Sequence, residues 1–226
     1  MAILKAEALL LRRYELRETS LVLVMLTREM GKITGLIKGV RGKRGISDGY
    51  FEPVTIQRIV FYERPKSAME LITQVDLVEP FMKLREDLTK IAYASYLTEL
   101  TDHILQIKDP HPEVYDLLSD TLKKLETEET CVPLVRFYEA RLLSISGLLP
   151  SVERLGLSKG AAATLAQLME GEGPGGRLKM TRQIEEELTT TMQRWIIHQV
   201  DRRLKSLEFL RQIGESAAAQ PVGVST

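Results

Sequence analysis

The sequence predicts an α+β chain, a small β-barrel followed by an all-helical part. Three observations predict it. Before Pro80, apolar residues fall in short strand-like runs divided by glycine-containing turns. After Pro80 they recur every three or four residues, as on a helix face. Prolines and glycines in the second part sit where helices start and stop.

The strands come first. Lys5–Tyr14 reads as one and Ser20–Arg28 as the next. Glu29-Met30-Gly31-Lys32 turns the chain, since Gly31 takes φ > 0 without a Cβ clash. Lys32–Val40 alternates Ile33, Gly35 and Ile37 with Thr34, Leu36 and Lys38. Pro53–Glu63 and Met69–Val78 are the fourth and fifth strands. Five short strands favour a closed barrel, because closure removes exposed edges. The OB-fold is the common five-stranded solution, and other small barrels fit the same pattern.

The helices follow. Tyr93, Leu97, Leu100, Ile104 and Ile107 share a face, and Asp109-Pro110-His111-Pro112 stops that helix. Val114, Leu118, Leu122 and Leu125 make the next stripe. Thr130 is the expected N-cap of a helix with Pro133 in its first turn and Gly147 at its end. Ser158–Glu170 is a shorter Ala-rich helix, Gly171–Gly176 a flexible linker, and Thr181–Ile213 one long or broken helix. Glu185-Glu186-Glu187 reads as a solvated face near its N-terminus, where the helix dipole favours acid. The expected domains are a nucleic-acid-binding barrel over 1–80, a helical domain over 81–213 and a disordered tail over 214–226.

Composition narrows the function. Apolar residues make up 44% and charged residues 27%, ordinary for a globular protein. No run approaches the roughly 18 apolar residues that span a bilayer. Lys5 and Glu7 interrupt the N-terminal apolar residues, which argues against a signal peptide. The single cysteine, Cys131, excludes an internal disulfide and a Cys-based zinc knuckle. A cytoplasmic protein without membrane contact is expected.

Catalytic patterns are missing. His103, His111 and His198 are far apart and read as packing, surface and loop residues. Cys131, at a helix start that would favour its thiolate, has no placed base partner. No nucleophile elbow, phosphate-binding loop or dinucleotide fingerprint is present. No catalytic residue, metal ligand or cofactor is assigned, and the expectation is a protein that is not an enzyme.

Charge is informative in its distribution. Lys plus Arg and Asp plus Glu both total 31. Residues 1–80 nevertheless hold 13 basic and 10 acidic side chains. The excess lies in Arg28, Lys32, Lys38, Arg41, Lys43 and Arg44, with only Glu29 among them. Lys38-Gly39-Val40-Arg41-Gly42-Lys43-Arg44-Gly45 alternates cations with glycine. Glycine lets the main chain approach a phosphodiester, and the cations release counterions. These six residues are the expected set for binding a nucleic-acid backbone. Arg12, Arg13 and Arg17 form a second basic group. Tyr14, Tyr50 and Phe51 are aromatic types that can stack on bases, though core or hinge packing is the stronger reading for them. The competing function class is a helical adaptor whose barrel binds protein.

Several segments together resemble a known family. Tyr14-Glu15-Leu16-Arg17-Glu18-Thr19-Ser20-Leu21, Leu26-Thr27-Arg28-Glu29-Met30-Gly31-Lys32 and Lys38-Gly39-Val40-Arg41 are similar to the start of the RecO family of bacterial recombination mediators. Arg136-Phe137-Tyr138-Glu139-Ala140-Arg141-Leu142-Leu143 with Gly147, and Arg203-Leu204-Lys205-Ser206-Leu207-Glu208-Phe209-Leu210, resemble its later motifs. The resemblance implies an OB-fold and a helical domain. It implies binding of single- and double-stranded DNA, annealing of complementary strands, and help in loading RecA onto strands coated by single-strand-binding protein. It implies partnership with RecR and with the acidic, Phe-ended tail of single-strand-binding protein, a contact suited to Arg136 and Arg141. There is one departure. Many relatives carry a four-cysteine zinc site after the "R-F-E" helix, whereas here Pro150–Leu157 passes directly to the next helix without cysteine.

Overall fold

Two uninterrupted apolar stretches set the architecture. β1 (Ile3–Leu16) contains Ala8-Leu9-Leu10-Leu11, and β2 (Ser20–Thr27) contains Leu21 to Leu26. Successive strand side chains point to opposite faces, so an unbroken apolar run serves two cores. The computed structural model, which describes residues 2–40, 48–64, 67–170, 180–200 and 202–219, has both. Ala8, Leu10, Leu21, Leu23 and Met25 join the barrel core with Ile59 and Phe61. Leu9, Leu11, Val24 and Leu26 join a second core made mostly of helical residues.

β3 (Gly31–Ile37), β4 (Thr55–Tyr62) and β5 (Glu70–Glu79) complete the sheet. The order β1-β2-β3-β5-β4 closes on itself, because β1 pairs with both β2 and β4. All neighbours are antiparallel except β3 and β5. This is a five-stranded OB-type barrel, as the sequence predicts. The β1–β2 register shifts between Leu10 and Arg12, a bulge that bends β1 between its two partners. Gly35 faces the inside of β3, where a Cβ would stand 2.3 Å from Cδ1 of Ile72.

Among the described residues seven α-helices follow: α1 (Met82–Arg85), α2 (Leu88–Ile104), α3 (Pro112–Thr127), α4 (Val132–Ile145), α5 (Lys159–Glu170), α6 (Arg182–Gln199) and α7 (Lys205–Ala219). The segment expected as one long or broken helix is broken after Gln199, at Val200. α7 continues through 214–219, so that part of the expected tail is helical, and 220–226 lies outside the described residues. The linker expected at Gly171–Gly176 also lies outside them. α4 begins behind Cys131, one residue later than the cap expected at Thr130. It ends where Gly147 takes φ 67 and the Leu148 N–H donates to the Leu143 carbonyl at 2.7 Å.

Carboxylates from neighbouring helices satisfy several helix starts. The first N–H groups of a helix have no intrahelical acceptor, and the dipole there favours negative charge. Glu187 on α6 accepts from the Ser158 N–H at 2.6 Å and the Ser158 hydroxyl at 2.7 Å, just ahead of α5. Glu99 on α2 accepts from the N–H groups of Lys205 and Ser206 at 3.1 and 2.9 Å, opening α7. Glu126 on α3 accepts from the Lys83 N–H at 3.2 Å in α1. Glu187 therefore ties α6 to α5 and is more than a solvated charge. The Ser158 N–H and hydroxyl hold its carboxyl below the usual carboxylate range.

The two parts meet at a tightly specified joint. Val54 and Phe81 are buried yet have φ of 62° and 48°. Such backbone persists only where its surroundings over-determine it. The Val54 N–H donates to the Leu10 carbonyl at 3.0 Å. Arg85 donates through Nη2 to the Pro53 carbonyl at 3.0 Å and through Nε to the Pro80 carbonyl at 3.4 Å. The β2–β3 turn rests on the α2–α3 connection, where a Cβ on Gly31 would lie 2.1 Å from the Asp109 carbonyl oxygen.

Gly31→Ala combines that clash with φ of 66° and is expected to destabilise the chain by at least about 2 kcal/mol, read as a lower urea midpoint with an unchanged slope. Glu187→Gln tests the remote caps. A carboxyl whose folded-state pKa is lowered stabilises fully above its unfolded value and loses that contribution as pH falls through the folded one. The variant should melt below the parent at pH 7, and the gap should narrow on descending below about pH 4.3. A gap of constant size at pH 7 and pH 3 would contradict the assignment.

Candidate nucleic-acid interface

The six basic residues expected to face DNA have different surroundings. Arg28, in the β2–β3 turn, is half-exposed and forks onto Asp116 of α3, with Nε–Oδ1 2.9 Å and Nη2–Oδ2 3.0 Å. Hydrogen bonding and charge from Asp116 raise its pKa further. Lys38 is exposed just beyond the end of β3. Arg41, Lys43 and Arg44 lie outside the described residues.

Lys32 departs from the expectation. It is only 7% exposed, because its register partner is Leu26, on the barrel's helix-facing side. Its Nζ donates to the Asp102 carbonyl and to Asp102 Oδ1, the latter at 3.1 Å. Arg12 reaches the other Asp102 oxygen at 3.1 Å and lies over the Tyr14 ring, 4.6 Å from its centroid. Lys32 thus joins barrel to helices and does not present its charge to solvent. Arg13 pairs with Glu52 at 2.8 Å. Asp102 and Asp116 were missed as partners, since they lie 70 and 88 residues from Lys32 and Arg28 and no local spacing links them.

A groove opens beside Lys38. It encloses about 650 Å³ between the end of β3 and the start of β5, with Ile37, Val40, Leu71 and Val75 among its walls and Tyr50 in its lining. Tyr50 is 39% exposed, and neighbouring Phe51 is buried in the barrel core.

On the helical side, Arg136 is also more buried than its expected role suggests, at 2% exposure. Its Nη1 stands 2.9 Å from Glu139 Oε2, and Glu139 Oε1 accepts from the Tyr96 hydroxyl at 2.6 Å. Burial pushes the Glu139 carboxyl up, against the pull of Arg136 and Tyr96. The Arg136–Glu139 contact is an ion pair without hydrogen-bond alignment, so Arg136 Nε and Nη1 have no acceptor among the described residues. Arg136 lines a pocket of about 330 Å³ with Tyr93, Leu210 and Arg211, and with Glu185 and Glu186. Arg141 is half-buried elsewhere, donating to the Met169 carbonyl at 3.3 Å.

Among the described residues, no His, Cys, Asp and Glu cluster is placed to hold a metal ion. Burial pushes the Cys131 thiol up, with Lys90 opposing, the reverse of what its helix-start position alone favours. No helix among the described residues is long and apolar enough to cross a membrane.

Residues 1–81 match the family model described as Recombination protein O N terminal, and residues 85–156 the one described as Recombination protein O C terminal. The chain belongs to the RecO family. The boundary between the two matches falls at Phe81 to Arg85, the joint between barrel and helices. A DNA repair protein RecO of Anaeromyxobacter sp. is 31% identical over 175 residues, covering 77% of this chain and 68% of the relative. One of Symbiobacterium thermophilum is 28% identical, covering 93% and 97%. One of Moorella thermoacetica is 27% identical, covering 93% and 91%. The RecO C-terminal match ends at residue 156, between the short turn Val152–Leu155 and α5.

Lys32→Ala leaves Asp102 buried with half its counter-charge and is expected to cost roughly 3 kcal/mol in urea unfolding. Lys32→Met with Asp102→Leu should cost less, because no buried charge is orphaned. Parental stability with weakened DNA binding in Lys32→Ala would return Lys32 to the interface.

Proposed function

We propose that the chain is a non-enzymatic recombination mediator of DNA repair. It binds single- and double-stranded DNA through the barrel and anneals complementary strands. With RecR, it helps load RecA onto DNA coated by single-strand-binding protein. The observation that carries this reading is the coincidence, over residues 1–81, of the RecO N-terminal match with a closed OB-type barrel. Arg28, Lys38, Arg41, Lys43 and Arg44 are the proposed backbone contacts, and Lys32 is withdrawn from the set. Annealing follows from neutralising two phosphodiester backbones together, which lowers their repulsion without a covalent step.

The helical part is proposed to dock proteins. The Arg136 pocket offers a fixed guanidinium with unfilled donors beside Tyr93 and Leu210, which suits a terminal carboxylate next to a phenylalanine. That is the chemistry of the single-strand-binding protein tail. Arg141, the other expected contact, is bonded instead to the end of α5 and is not among the described residues lining that pocket. A second reading, a barrel that binds protein, is favoured by one observation: Arg28 and Lys32 already have carboxylate partners.

Titration of a labelled single strand at two salt concentrations separates the readings. The mediator should lose affinity steeply with salt, and a Lys38, Arg41, Lys43 and Arg44 quadruple-alanine variant should reduce the slope of log affinity against log salt by about three to four. Complementary oligonucleotides should anneal faster in the presence of the protein. Absence of annealing together with salt-insensitive, weak DNA binding would favour the adaptor.

A further inference from the structure

We propose that the groove beside Lys38 is a nucleobase subsite, in which one unstacked base of a single strand lies against the Tyr50 ring with its phosphate near Lys38. This deepens the DNA-binding reading and rests on it.

The groove exists because two neighbouring strands part. β3 and β5 pair only over Gly35–Ile37 and Glu70–Ile72. Gly39 then takes φ of 67°, and the Val40 N–H donates to the Thr19 carbonyl at 2.9 Å, which carries the chain away from β5. β5 runs on to Glu79, and beyond Ile72 no described strand pairs with that edge. The space left is about 650 Å³, within the roughly 300–1,000 Å³ typical of ligand sites.

Tyr50 is held ready at this space. It sits on a short 3-10 turn, Asp48–Phe51, anchored at Tyr50 and at Phe51. Buried Gln57 donates through Nε2 to the Tyr50 carbonyl at 2.6 Å, and Phe51 plugs the barrel core. The anchor grips the Tyr50 backbone and leaves its ring partly exposed. A pre-placed aromatic loses little freedom when a base stacks on it.

Charge selects the occupant. Among the described residues, the groove lining includes Lys38 and no carboxylate. By contrast, the cleft between barrel and helices is lined by Asp102 and Asp109. An apolar floor, an aromatic and a cation accept a base and its phosphate with little sequence preference. Paired and stacked bases of a duplex cannot enter, so the subsite distinguishes single from double strands. A peptide strand added to β5 beyond Ile72, where no described strand pairs with that edge, is the competing occupant.

The test uses the full chain. A thymidine oligonucleotide carrying 5-iodouracil is photocrosslinked and the attachment mapped by mass spectrometry, while anisotropy gives single-strand and duplex affinities for the parent, Tyr50→Ala, Tyr50→Leu and Tyr50→Phe. The expected crosslink is on Tyr50. Tyr50→Ala and Tyr50→Leu should weaken single-strand binding about tenfold and duplex binding less than twofold, and Tyr50→Phe should retain both. Leu keeps the apolar bulk, so it reports even if Ala fails to fold. Crosslinks elsewhere with unchanged affinity, or equal losses for single and double strands, overturn the subsite and leave the groove to a peptide. If that happens while the parent binds DNA with a steep salt dependence, only the subsite falls. If the parent binds no DNA, the DNA-binding reading falls with it.

Discussion

Burial of β1 and β2 on both faces is the constraint from which the rest of the molecule follows. Leu10, Leu23 and Met25 fill the barrel, while Leu9, Leu11, Val24 and Leu26 need a cover on the other side. The helices supply it, and the barrel wall becomes part of the helical core. This is why the joint tolerates the unfavourable backbone at Val54 and Phe81. It is also why a lysine on the outer face of β3 meets an aspartate at the end of α2 instead of water. The arrangement leaves the end of β3 and the start of β5 as the part of the barrel where a groove faces outward.

Much of this was legible in the chain itself. The change of period at Pro80, the turn at Gly31 and the inward position of Gly35 follow from side-chain alternation and backbone sterics. The apolar runs at Ala8–Leu11 and Leu21–Leu26 marked strands, but burial of both their faces depends on the helices being in place. The fate of each cation was not legible. Lys32 and Lys38 look equivalent in a strand of alternating residues, yet one is buried against Asp102 and the other is exposed. The difference is made by a helix whose position depends on packing far along the chain. Arg136 shows the same limit, because its burial beside Glu139 and Tyr96 requires α2 and α4 to be already packed together.

Electrostatics in this molecule is therefore largely internal. Arg12, Arg28, Lys32 and Lys108 meet Asp102, Asp116 and Glu70 across the barrel–helix boundary. Glu99, Glu126 and Glu187 answer the positive ends of other helices. The near-zero net charge conceals this division. The basic side chains around the barrel do not form one uniform field. Cations outside these pairs meet an anion without first giving up a carboxylate, and at the groove beside Lys38 such a cation adjoins an aromatic surface.

The cap that Glu99 places on α7 joins residues 106 and 107 positions apart, and α7 lies along α2. During synthesis the barrel can close as soon as β5 leaves the ribosome, since its strands all lie before residue 80. The helical core has no such option. α2 emerges early and waits, with its cap-accepting carboxylate and apolar face open, until Leu204 and Leu207 arrive. The molecule is thus built from a part whose strands are all synthesised early and a part that also needs α7, and until α7 arrives the flank of α2 that it covers stays open.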